Sequence, residues 1–327
     1  MPQRISTPQA ELHNHLGGSV DPAVLWAIAH RQGIKLPTKD FWEFHKMVTM
    51  TADQNLDQIN DQYYWTELIQ SSPEAIEEAV KGVFGGGYRN CNIVLHELRF
   101  NPMKRNRDGE RDLDHIIQAA IWGMERAKLE YPQIRAGLIV MMDRTFPVEL
   151  NNIICQKAIK FGGSGVIGLD LAGPPRPDFS MADHARLFQE ARDAGLGITV
   201  HTGEWAGSAD EMKFVVHNIK PNRIGHGIRC VTSIDIMKEI VDLDITLETC
   251  PTSNLKNRNI PRIDELKRIY RILIDNKVKF CINTDGPELY QQNLLKEQKL
   301  LLECDALTQD EINKSIQDAF AATFIKG

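Results

Sequence analysis

GITVHTG (197–203), NRIGHGI (222–228), ITLETCP (245–251) and VKFCINTD (278–285) are short apolar, β-rich runs. Stretches of helical pattern separate them, IDELKRIYRILIDNK being the clearest. Strands buried on both faces read as continuous apolar runs, so this alternation predicts a parallel sheet covered by helices. Working outward, AELHNHL (10–16), NIVLHELRF (92–100), RAGLIVMM (135–142) and GVIGLDLAG (165–173) are further runs of the same kind. Eight of them, with helical patterns such as DHIIQAAIWGMERAKLEY and MADHARLFQEARDAG between, predict an α/β chain closed into a (β/α)₈ barrel. No G-x-G-x-x-G or G-x-x-x-x-G-K-[ST] follows a strand, and GGGY (85–88) reads as a helix C-cap and turn.

One segment interrupts the alternation. About 75 residues separate the first two runs, more than one crossover helix needs. Residues 20–90 are therefore expected to form a helical insert, with helices over 22–35 and over 53–70, the second carrying Tyr63, Tyr64 and Trp65. A first βα loop emerges at the C-terminal mouth of a barrel, so the insert is expected to act as a lid; the alternative is an extension packed on the barrel side. No repeat, low-complexity tract or linker divides the chain, and 1–327 is expected to be one domain.

With 42% hydrophobic residues the chain can bury a sizeable core, and a formal net charge of −6 argues against nucleic acid or an anionic membrane as partner. No signal-peptide or membrane-spanning run is present, and six scattered cysteines without a C-x-x-C pair suit a reduced, cytoplasmic protein. Nothing in the sequence sets an oligomeric state.

His13 and His15 are two apart on a predicted strand and share a face. Alone, H-x-H is a weak signal. His201, His226 and Asp285 end the fifth, sixth and eighth predicted strands, however, and Glu204 follows His201 by three residues. Barrel enzymes place catalytic groups at the C-terminal strand ends, so these six residues are candidates for one site. His30, His45, His115, His184 and His217 fall on helical or loop stretches and read as surface or packing residues; His96 reads as packing or pocket wall.

In order, HNHLGGS, LDLAG, HTGE, RIGHG, ETCPTSN and NTDGP resemble the motifs of the adenosine deaminase family, within the amidohydrolase superfamily. The tail NLLKEQKLLLECDALTQDEINKSIQDAFAATFI resembles the family's closing helices, so the likeness is essentially full length. It implies one Zn²⁺ per chain on His13, His15, His201 and Asp285, with Glu204 as proton shuttle and His226 directing the attacking water. It also implies that Gly173 offers a backbone N–H to a substrate ring nitrogen. Three imidazoles and a carboxylate suit zinc and leave a water position open. The implied reaction is hydrolytic deamination of a 6-aminopurine nucleoside, adenosine, deoxyadenosine or a modified relative, to the 6-oxo product and ammonia. The fourth strand ends in LDLAG without a bridging lysine, so one metal is expected, and no P-C-x-x-C supports the cytidine-type deaminases.

Three positions depart from the family pattern. Gly17 stands where the family usually has an aspartate that contacts ribose, Gly286 where an aspartate meets purine N7, and Pro174-Pro175 follows DLAG. Either Glu288 or Ser253 compensates, or the substrate is a modified or larger 6-aminopurine filling the space two glycines leave. Free adenine, a non-purine amide or ester, and a non-catalytic nucleoside-binding role are the alternatives. Relatives with that last role carry an N-terminal extension, whereas His13 lies about ten residues into this chain.

Overall fold

The apolar runs become strands of one sheet. In a computed structural model describing residues 7–50, 56–106, 110–205 and 207–326 (56–61 by backbone only), these are β1 Gln9–His15, β2 Ile93–Phe100, β3 Arg135–Asp143 and β4 Val166–Ala172. They continue as β5 Gly197–Thr202, β6 Arg223–His226, β7 Thr246–Thr249 and β8 Phe280–Ile282. The strands pair in parallel in chain order. Asn14 and Asp285 bridge the two outer strands in parallel, with His15 N–H donating to the Asp285 carbonyl at 2.7 Å and Asp285 N–H to that of His13 at 2.9 Å. This seam turns an eight-stranded sheet into the expected (β/α)₈ barrel. It also brings residues at opposite ends of the chain into one layer.

Outside the barrel lie α5 (Leu113–Glu130), α6 (Val148–Lys160), α7 (Met181–Asp193), α8 (Ala209–Phe214), α9 (Ile234–Asp242), α10 (Pro251–Lys256) and α11 (Ile263–Asp275). The closing helices are α12 (Leu294–Glu303) and α13 (Gln309–Ala322). Ser180, Ser233 and Thr308 cap α7, α9 and α13 by accepting from a backbone N–H of the first turn, which satisfies donors the helix leaves open. Alternate strand residues such as Leu98, Val140, Leu171 and Val200 pack outward against Phe84, Ile117, Ile154 and Phe188 of the helices. Among the described residues no helix is long and apolar enough to cross a membrane.

The insert holds α1 (Pro22–Arg31), α2 (Phe41–Val48), α3 (Leu56–Ile69) and α4 (Pro73–Cys91), so it has helices that the sequence reading did not separate. The expected helix over 53–70 is α3, and residues 53–55 lie outside the described residues. GGGY is not a C-cap. The helix runs on to Cys91 and is capped by Asn92 in the left-handed conformation, φ 53°. Two of the three glycines lie where α4 presses on its neighbours: a Cβ at Gly87 would stand 3.2 Å from the His96 ring, and one at Gly85 3.0 Å from Tyr131. Close approach, not chain reversal, explains Gly85 and Gly87, while Gly86 faces open space.

The same crowding governs the α4–α5 contact. A Cβ at Gly123 would lie 2.4 Å from the Glu77 carbonyl oxygen. Gly123→Ala should therefore destabilise by about 1–3 kcal/mol despite alanine's better helix propensity, because overpacking against backbone outweighs it. Thermal unfolding checks this, and an unchanged midpoint would show that the helices separate freely.

Candidate active site at the barrel mouth

His13 and His15 end β1, His201 nearly ends β5, and Asp285 follows β8, so the seam and the strand ends bring all four together. His15 Nε2 stands 3.2 Å from His13 Nε2 and 3.0 Å from His201 Nε2, and Asp285 Oδ1 lies 3.4 Å and 3.7 Å from His15 and His13. A tetrahedral ion with ligands at 2.0–2.2 Å separates neighbouring donors by about 3.3–3.6 Å, close to the distances His15 makes to His13 and Asp285. Burial holds all three imidazoles well below their ordinary pKa, so they are neutral. Their neutral form is the one that binds a metal. Cys250 also lies within reach, but its thiol is directed to the Glu248 carbonyl, and burial pushes its pKa up.

Two carboxylates decide which nitrogen faces the centre. His13 donates Nδ1–H to Glu248 Oε2 at 2.8 Å, and His201 donates Nδ1–H to Asp170 at 3.0 Å. Both Nε2 atoms are thereby left with lone pairs aimed at one point. Arg99 joins the two acids, donating to Asp170 Oδ2 at 2.8 Å and Glu248 Oε2 at 2.7 Å. Burial favours a protonated Glu248, but the attractions of Arg99 and Arg223 outweigh it and hold the carboxyl at about 2.

Glu204 has the opposite environment. Burial raises its pKa to about 8, with the negative charge of Asp285 adding to the effect. It is therefore a carboxylic acid at neutral pH. Asn259 donates to Glu204 Oε1 at 2.9 Å and fixes its aim. His226 Nε2 lies 3.7 Å from Glu204 Oε2 and 3.9 Å from Asp285 Oδ2. His226 and Asp285 both sit at positive φ, 60° and 64°, a conformation that disfavours side chains and turns these two back over the mouth.

A cavity above the cluster is lined by His15, His201, Glu204, His226, Asp285 and Gly173, and beyond them by Tyr63, Glu67, Lys104, Asp143, Asn257 and Tyr290. Gly173 reaches it at φ 100°, where a Cβ would meet Asp143 Oδ1 at 2.9 Å. Gly17 and Gly286 are not on its surface, and the space they leave is already taken. A Cβ at Gly17 would be 3.0 Å from the Tyr63 ring, and one at Gly286 3.2 Å from the Gly18 backbone. Neither suggested substitute for the missing aspartates is available: Ser253 donates to Asp285 Oδ2 at 2.5 Å, and Glu288 lines a separate cavity behind β1. His96 lines that second cavity too, while His184 is a packing residue bonded to Asn151.

Tyr63, Asn257 and Asn259 were missed in the sequence. The Tyr63-Tyr64-Trp65 triplet marked the insert without saying which ring faces inward, and the two asparagines follow ETCPTSN without any pattern.

A (β/α)₈ barrel with a three-histidine, one-aspartate cluster and a neutral buried acid at its mouth is an amidohydrolase. More narrowly, the chain belongs to the adenosine deaminase family, whose sequence model matches residues 8–327, and it is a hydrolase of C–N bonds in amidines. It is 30% identical to an adenine deaminase of Rhizobium leguminosarum bv. trifolii over 97% of this chain and 94% of that one. An adenosine deaminase of Vibrio vulnificus is 27% identical, with 98% of this chain and 96% of that one covered. The solved adenine deaminase of Arthrobacter aurescens superposes with a TM-score of 0.85 at 21% identity, covering 98% of this chain and 95% of that one.

Gly225 tests the packing of the clustered imidazoles. Its partner across β5–β6 is His201, and a Cβ there would stand 3.1 Å from both His13 Cε1 and the His201 ring. Gly225→Ala should keep the fold by circular dichroism yet lower metal content at least tenfold at limiting metal. Full metal loading in that variant would show that the imidazoles have room to spare.

Proposed function

We propose that the protein hydrolytically deaminates a 6-aminopurine nucleoside, releasing ammonia, with one Zn²⁺ held by His13, His15, His201 and Asp285. The observation that carries this is geometric: Glu204, Gly173, His15, His201 and Asp285 all line one cavity. When bound, the ion supplies a Lewis acid that makes water nucleophilic near neutral pH. Glu204, protonated, donates to ring N1 as the nucleophile adds at C6, so no charge builds on the purine, and the same proton route then serves the departing amine. His226, neutral and 3.7 Å from Glu204, accepts from the attacking water and fixes its direction, with Asp285 on its other side. Gly173 donates its backbone N–H to the purine, and α3 closes the cavity as a lid through Tyr63 and Glu67.

For the part of the substrate beyond the base, Glu67, Lys104 and Asp143 provide polar groups that suit sugar hydroxyls. A second reading, the free base adenine, is favoured by one observation. Tyr63 fills the space beside Gly17, where the family's ribose-contacting aspartate would sit.

A panel of adenine, adenosine, deoxyadenosine, their N6-methyl forms and the 5′-phosphates, followed by ammonia release, tests the assignment. Failure of every aminopurine to release ammonia overturns it. Tyr63→Ala should raise kcat/KM for nucleosides relative to adenine if the ring restricts the sugar side; an unchanged ratio places the sugar elsewhere. Glu204→Gln should bind zinc normally and lose about a hundredfold or more in kcat, since the proton donor is gone. Wild-type turnover should also fall at alkaline pH, where Glu204 loses its proton, and this limb should be missing from the residual activity of Glu204→Gln. Its persistence there would remove Glu204 from the proton route.

A further inference from the structure

At the N-terminal end of the barrel, Gly168 of β4 and Gly197 of β5 are paired neighbours, and the ring of Phe324 lies on both. A Cβ at Gly197 would stand 2.2 Å from the ring Cγ, and one at Gly168 2.8 Å from Cδ2. Arg223 also lies over the ring, its guanidinium carbon 3.5 Å from the ring centre. The segment after α13 also engages the barrel's buried charges. Phe324 N–H and Thr323 Oγ1–H donate to Glu97 Oε1 at 2.7 Å, and Arg223 donates to the Ala322 carbonyl at 2.8 Å. Arg223 then reaches both ways, to Glu97 Oε2 at 2.5 Å and to Glu248 Oε1 at 2.6 Å. Glu248 is the acceptor that orients His13.

We infer that Phe324 and Arg223 are positioning residues for the metal centre, acting from the opposite end of the barrel. The inference rests on the reading of His13 as a ligand. The Phe324 ring separates a surface cleft, lined by Asn222, Thr246 and Ala322, from a fully buried ionic chain. While it is seated, Arg223 lies over the ring and presents Nε to one oxygen of Glu248. The other oxygen then stays on Arg99 and His13. With the ring removed, water enters from the cleft, competes for the guanidinium and weakens its hold on Glu248, because charge pairs lose strength as local polarity rises. The Glu248 carboxylate then keeps only Thr199 at 3.0 Å on that oxygen, its orientation loosens, and with it the hold on His13 that keeps the Nε2 lone pair on the ligand centre. Outer partners of metal-binding histidines set affinity by about 10–100-fold.

The test compares Phe324→Leu, which keeps an apolar filling without a π face, with Phe324→Tyr, which keeps the face. Zinc affinity is measured by competition with a chromophoric chelator, alongside the thermal midpoint of the metal-free protein. Phe324→Leu should bind zinc about tenfold or more weakly, and Phe324→Tyr should remain near wild type. In metal-free ¹⁵N-histidine-labelled protein, the Nδ1–H resonance of His13 should be protected from exchange in wild type and in Phe324→Tyr, and lost in Phe324→Leu. If Phe324→Leu lowers the midpoint while affinity and resonance both stay unchanged, the ring is only a packing residue and the inference falls. If wild type binds no zinc yet the resonance still responds to Phe324→Leu, the metal reading fails and the coupling stands.

Discussion

Two guanidiniums without solvent contact organise this barrel. Arg99 and Arg223 are fully buried, and each must be matched by acceptors or the fold would carry an uncompensated charge of several kcal/mol. The match is an alternating file: Glu97, Arg223, Glu248, Arg99 and Asp170. Its carboxylates Glu248 and Asp170 accept from His13 and His201, so the ionic file orients the imidazoles. The mouth of the barrel therefore inherits its chemistry from its axis.

Neighbours also divide the roles of chemically identical groups. Glu248 and Glu204 are both buried glutamates, yet one is ionised down to about 2 and the other keeps its proton to about 8. Guanidiniums surround the first, while an amide and a second carboxylate surround the second. A site that needs one permanent anion and one neutral acid obtains both without special residues. Backbone geometry completes the arrangement: His226 and Asp285 accept left-handed conformations at strand ends, and Gly225 leaves room for two rings that any side chain would displace.

The eight strands, their order and the strand-end residues were legible because burial on both faces writes a continuous apolar run and helices write their own period. The candidate metal-binding residues were legible through the spacing of HNH and the ordered motifs, because each stands at a strand end; the structure places His13, His15 and His201 in one cluster, with Asp285 beside His13 and His15. Two local signals misled. GGGY looks like a stop but lies inside α4, since a glycine run has the same appearance whether it ends a helix or lets one press against a strand. Gly17 and Gly286 looked like vacated space, but Tyr63 and the Gly18 backbone fill it.

What the sequence determined by itself was the set of elements and the residues each carries to its C-terminal end, because both follow from patterns within a few residues. The tertiary structure alone decided the partners. Arg99 meets Glu248 across 149 positions, Tyr63 meets Gly17 from an inserted helix, Asn259 meets Glu204, and Phe324 closes on Gly197 from beyond the last helix. Such pairings depend on which strands become neighbours once β1 closes onto β8, and no local periodicity encodes that distance.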